Sequence, residues 1–103
     1  MELHTFSSLN KDFLEQYAGS MIEADIPVVF YDKETFEHKK MPLLEESFVR
    51  DAFKNDGLNI FTDTESLYRF LINQNWQRKN LLLMSSGNFG GLDIDALAKE
   101  VLE

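Results

Sequence analysis

Cysteine is absent from the 103 residues of this chain, which removes disulfides, thiolate metal sites and cysteine nucleophiles together. Imidazoles are scarce too. His4 and His38 are the only two and lie far apart in sequence, so a zinc site would draw its remaining ligands from carboxylates, and no metal-ligand spacing is present. Positive charge is thin, with 10 Lys and Arg against 18 Asp and Glu for a formal charge of -8. A nucleic-acid surface needs a dense cationic face; the one basic spot, "EHKK" at 37–40, reads as solvated surface. Long apolar runs are missing as well. "IPVVFY" and "LLLM" are the longest, well short of the about 20 residues a spanning helix requires. "MELHTF" has neither the basic nor the apolar region of a leader. No nucleic acid and no membrane is expected as a partner, and a cytoplasmic protein is the simplest reading.

What is present suits one folded domain. Hydrophobic residues make up 44% of the chain and thirteen residues are aromatic, ample for a core and unlike a disordered segment. No repeat, low-complexity tract or Pro/Gly/Ser linker divides it. "NKDFLEQYAGSMIEA" (10–24) spaces Phe13, Leu14, Tyr17, Met21 and Ile22 as a helix would, with Ser7 and Ser8 as candidate caps. "IPVVFYD" (26–32) is a β-branched and aromatic run that fits a strand covered on both faces. After a less regular stretch containing Pro42, "EESFVRDAFKN" sets Phe48, Val49, Ala52 and Phe53 on one helical stripe, closed by the turn residues Asn55-Asp56-Gly57. "LNIFTD" (58–63) reads as a strand. Thr62-Asp63-Thr64-Glu65 reads as a capping box opening a helix with Leu67, Phe70 and Leu71 on one face. "NLLLMSS" (80–86) reads as another buried strand, and Ile94, Leu97, Ala98, Val101 and Leu102 form the cleanest helical stripe. Alternation of helix and strand implies an α/β sheet with right-handed crossovers. "MELHTF" alternates too weakly to stand as an edge strand alone, so the chain reads as a fragment that starts within an element.

The stretch "NLLLMSSGNFGG" (80–91) hands a strand over to a helix through three glycines. Backbone amides at such a place attract anions, yet the G-x-x-G-G spacing matches neither the dinucleotide fingerprint nor the phosphate loop. Asp93 and Asp95 in the next helix's first turn would repel a phosphate. A tight turn needing positive φ is the structural alternative, and close approach of another domain is a third. Ligands of open α/β sheets gather beyond the carboxyl ends of the strands, which puts Thr5 to Asn10 and Ser85 to Gly91 on one edge.

"ELHTFSSLNKDFLEQYAGSMIEAD", "VVFYDKETFEHKK" and "LLLMSSGNFGG", in this order and spacing, resemble the C-terminal domain of the Mur ligases over nearly the whole chain. The subgroup resembled is that joining UDP-N-acetylmuramate to L-alanyl-γ-D-glutamyl-meso-diaminopimelate in murein recycling, with the L-alanine-adding ligases as near relatives. The resemblance implies a three-layer Rossmann-like domain with a mostly parallel sheet, residues 1–103, lacking its first strand and helix. It implies a three-domain cytoplasmic enzyme of peptidoglycan synthesis or recycling, in which ATP and Mg are bound mainly by a central domain that this chain does not contain. The carboxylate is activated as an acyl phosphate and attacked by the amine. The C-terminal domain closes over the nucleotide and positions the amino acid or peptide. By itself this chain would be inactive, with no catalytic or metal residue and no cofactor of its own.

Carried over by position, the resemblance makes His4, Thr5, Ser7, Ser8 and Asn10 the loop facing the substrate cleft. Family members often place arginines there, so neutral hydrogen bonding is what remains. Ser86, Gly87, Asn88, Phe89, Gly90 and Gly91 match more closely and imply backbone contacts to substrate or nucleotide; Asn88 is the one side chain able to donate and accept. Lys11 and His38 read as solvated, and Trp76 as cover for the core's edge. Ser85 and Ser86 have no base nearby in sequence and so no nucleophile system. The alternative from another class is a non-catalytic α/β module that self-associates or binds a partner.

Overall fold

The computed structural model describes residues 1–3, 14–34, 45–85 and 87–102. The expected loop residues His4, Thr5, Ser7, Ser8 and Asn10, the start of the first helix with Lys11, the stretch around His38 and Pro42, and Ser86 lie outside them.

The apolar run at 26–31 supplies the central strand, β1 (Val28–Phe30). It pairs in parallel with β2 (Asn59–Phe61), Val29 opposite Ile60 and Phe30 opposite Phe61. Among the described residues three α-helices accompany them: α1 (Glu46–Phe53) between the strands, then α2 (Thr64–Ile72) and α3 (Ile94–Leu102). The protein is thus a small α/β domain built on a parallel two-stranded sheet. Residues 1–3 extend it on the far side of β1. Glu2 bridges Phe30 in parallel, the Leu3 amide donates to the Phe30 carbonyl at 2.8 Å, and the Phe30 amide donates to the Met1 carbonyl at 2.9 Å. "MELHTF" therefore begins beside the central strand rather than at an edge, since the Glu2 amide also donates to the Met84 carbonyl at 2.9 Å.

Side chains of a strand alternate between faces, and two cores follow. Val29 and Tyr31 join Leu3, Leu14, Met21, Val49, Phe53 and Leu58 on one face. Phe30 joins Leu67, Leu71, Phe89, Leu92 and Leu97 on the other, with Val28 and Phe61 at its margin. Burial on both faces is what a run of this composition anticipates: Val29, Phe30 and Tyr31 are all 1% exposed or less. Tyr17 stacks on Phe53 with ring centroids 5.2 Å apart, a contact worth about 0.5–1.5 kcal/mol beyond its buried area. Arg50 ties α1 to the start of β2, its Nε and Nη2 both donating to the Leu58 carbonyl at 3.2 and 3.1 Å.

Four expectations need correction. Past Leu14 the helix expected over 10–24 is a 3-10 turn, Glu15–Tyr17, followed by turns. Ala18 leaves it at ψ 121° and Gly19 sits at φ 78°, so Ile22 ends 73% exposed instead of buried. Segment 81–85 is not a buried strand. Its one described backbone bond to the sheet is that from Glu2 to Met84, and while Leu81 and Leu83 pack against the second core, Leu82 and Met84 are 72% and 40% exposed. Further, α2 opens on Asp63, whose carboxylate accepts from the Ser66 amide at 2.8 Å; Glu65 pairs instead with Arg69 one turn on, so Thr62 and Glu65 do not form the reciprocal box. The stripes of α1 and α3 are narrower than read: Phe48, Ile94 and Leu102 are exposed. Trp76 does cover the core's edge, its Nε1 donating to the Leu71 carbonyl at 2.7 Å. Among the described residues no helix is long and apolar enough to cross a membrane.

Two titrations check this arrangement. The bonds Asp63 accepts from the Ser66 amide and hydroxyl hold its carboxyl below the ordinary value of 3.8. Its stabilisation is therefore present above that value and lost as acid carries the pH through the lowered one. Asp63→Ala should cost about 1 kcal/mol in urea melts at neutral pH, an exposed cap standing at the modest end of such effects, and the difference should vanish in strong acid. Burial, then the nearby Glu46, pushes Tyr31 up to about 12 from 10.0. The stability this group contributes is whole below pH 10.0 and declines as pH rises toward 12. Spectrophotometric titration should show a tyrosine step near pH 12, and Tyr31→Phe should delete it.

Candidate functional site

The glycine-rich turn stands against the carboxyl ends of β1 and β2. Phe89, Gly90 and Gly91 follow one another at φ 55°, 67° and 87°, all left-handed. The Gly91 amide donates to the Asn88 carbonyl and to its Oδ1, both at 3.2 Å, and the Leu92 amide donates to the carbonyls of Asn88 and Phe89 at 3.2 and 3.3 Å. The two glycines differ in what they require. A Cβ on Gly90 would lie 2.5 Å from Thr64 Oγ1, 2.9 Å from Asp32 Oδ2 and 3.2 Å from the Phe30 ring, whereas one on Gly91 would meet open space. Gly91 serves backbone conformation alone; Gly90 serves conformation and close approach.

Phe89 is the costly member, since left-handed backbone in a residue with a Cβ is worth about 1–2 kcal/mol of strain. Three contacts hold it. Its ring is buried and stacked beside Phe30, centroids 6.2 Å apart. The Thr64 hydroxyl donates to the carbonyls of Phe89 and Gly90, 3.1 Å from each. The Phe89 amide donates to Glu2 Oε1 at 3.0 Å. Glu2 is 6% exposed, a carboxylate inside the second face of the sheet. Burial of such a group is tolerable only with donors around it. The Ser85 hydroxyl supplies one through a short bond to the same oxygen, and the Gly87 amide in turn donates to Ser85 Oγ at 2.7 Å.

Of the residues singled out in the sequence, Gly87, Asn88, Phe89, Gly90 and Gly91 are therefore together in one turn, and their convergence with residues 4–10 falls outside the described part. Three participants escaped the sequence reading. Glu2 lies in a segment that alternates too weakly to stand as an edge strand alone, Asp32 at the end of an apolar run, and Thr64 inside an expected capping motif. A charged residue flanked by Met1 and Leu3 was the available signal for Glu2.

Most of the turn's amides are engaged within the chain. The amides of Gly87, Phe89, Gly91 and Leu92 all donate within the chain. Asp93 caps α3, accepting from the Ala96 amide at 3.0 Å, so the helix start also meets a carboxylate. Together with Asp32 and Asp63 at the strand ends, these acids leave little for a phosphate. Asn88 has turned its Oδ1 inward to Gly91. Among the described residues no group of three or more His, Asp or Glu side chains is placed to hold a metal. A cavity of about 600 Å³ opens beside Met1, Val28, Phe30, Leu71 and Trp76, with the turn's Phe89 in its wall. No protein-family model, curated protein or solved structure matches the chain.

The two glycines give an internal comparison. Gly91→Ala should cost about 1 kcal/mol, for φ alone, whereas Gly90→Ala adds a clash with Thr64 and Asp32 and should cost about 3 kcal/mol. Urea denaturation of both variants measures the difference; equal losses would show that Gly90 is not pressed against Thr64.

Proposed function

We propose that this chain is the C-terminal, substrate-positioning part of an ATP-dependent Mur-type ligase, acting on UDP-N-acetylmuramate and an amino acid or peptide. In this reading it is a truncated three-layer Rossmann-like domain. The observation that carries the reading is the resemblance of three separated segments, the last of them "LLLMSSGNFGG", at the family's spacing. The geometry adds a supporting point: the turn stands at the carboxyl ends of a parallel sheet, where α/β domains present residues to ligands. Its Gly87, Phe89, Gly91 and Leu92 amides are engaged internally and its rim is acidic, so its part is that of a shaped wall of a closing domain, and phosphate chemistry belongs to the central domain with its ATP and Mg. A rigid turn of this kind contributes by orientation, where small misplacements are costly.

The chain alone should release no phosphate from ATP in the presence of UDP-N-acetylmuramate and peptide. In the ligase that contains this segment, Gly91→Val has room for its side chain but not for its backbone angle. It should stay folded by circular dichroism and lose at least about tenfold in kcat/KM. Full turnover in that folded variant would remove the turn from the mechanism.

A non-catalytic interaction module is favoured by a different observation, the exposure of Leu82 and Met84 on a segment with one described bond to the sheet. Apolar side chains on a sheet's edge invite pairing. Sedimentation of the chain separates the readings: concentration-dependent association supports the module, and a monomer at all concentrations counts against it.

A further inference from the structure

The donors around Glu2 have the composition of an anion site. A backbone amide from a left-handed turn, that of Phe89, and a hydroxyl, that of Ser85, converge on one carboxylate oxygen. The Gly87 amide points at the same hydroxyl from behind, so amide, hydroxyl and carboxylate form a chain of bonds that polarise one another in one direction. Glycine-rich turns gather amides in this way around phosphates and other anions. Here the anion comes from the strand next door, because alternation along residues 1–3 puts Leu3 in the first core and Glu2 on the opposite face.

We propose that the Glu2 carboxylate is the resident anion of the glycine turn: it fills a small-carboxylate site made by Phe89 N–H and Ser85 Oγ–H, and it positions the left-handed backbone that follows. The turn needs no external anion because the chain carries its own. Truncation of the side chain at Cβ frees the space of the carboxylate and its methylene, room for a small carboxylate such as formate. The proposal does not rest on the ligase reading, and its test is run on this chain alone.

The experiment is amide hydrogen exchange followed residue by residue by NMR, with formate as the probe. Glu2→Ala should raise the exchange of the Phe89, Gly91 and Leu92 amides at least about tenfold relative to Val49 and Phe53 in α1, as expected for loss of a hydrogen bond to a charged group. Added formate should restore their protection in Glu2→Ala but not in Glu2→Ala combined with Ser85→Ala. Glu2→Gln keeps the volume and one acceptor oxygen; its Phe89 amide should exchange several-fold faster than in the parent and ignore formate, because the space is filled. This second variant serves if Glu2→Ala does not fold. An equal rise in the turn and in α1 would make Glu2 an ordinary packing residue and overturn the proposal. So would failure of formate to rescue a folded Glu2→Ala, or parent-like Phe89 exchange in Glu2→Gln.

Discussion

A carboxylate on the inward face of a strand is the constraint around which this domain is arranged. Hydrogen bonding fixes residues 1–3 beside β1, and strand alternation then leaves Glu2 no choice of face. Once inside, it demands donors. The chain meets that demand with the turn that joins segment 81–85 to α3, and the bonds from Ser85 and Phe89 bring the far end of the sequence back to its beginning. The turn is consequently held from both sides of β1: by Glu2 on one flank, and by Thr64 and the close approach of Gly90 to Asp32 on the other.

This arrangement explains the use of glycine where the sequence left three uses open. Positive φ is required at Gly90 and Gly91, and absence of a Cβ is required at Gly90 because Thr64 and Asp32 are already there. A phosphate cradle would need outward amides and an uncharged or basic rim, but the amides of Gly87, Phe89, Gly91 and Leu92 donate inward and the rim is acidic. The turn is thereby a stiff surface of fixed shape. That suits a domain which positions something delivered by a neighbour, the role proposed for it.

Much of the α/β pattern could be read directly from residue order. The run Val28-Val29-Phe30-Tyr31 has the composition of a doubly covered strand, and it is one. Leu67 and Leu71 spaced one turn apart mark the buried face of α2. What could not be read depended on partners distant in sequence. Segment 81–85 has the apolar character of a core strand, but character does not supply a hydrogen-bonding neighbour, and two of its side chains face out. The 10–24 pattern was helical in period, yet Gly19 takes a left-handed angle while its amide donates to the Phe53 carbonyl, and a tertiary bond of that kind overrides local periodicity. Glu2 was invisible for the same reason: its bonds to Ser85 and Phe89 span more than eighty residues of sequence.

One contact, between Phe89 and Glu2, carries the whole arrangement. An NMR correlation transmitted through the hydrogen bond, from the Phe89 amide nitrogen to the Glu2 side-chain carboxyl carbon, reads it without any substitution. The arrangement described requires that cross-peak in the unaltered protein, together with a slowly exchanging Phe89 amide. A Phe89 amide that exchanges as freely as an exposed loop, with no coupling to Glu2, would contradict it.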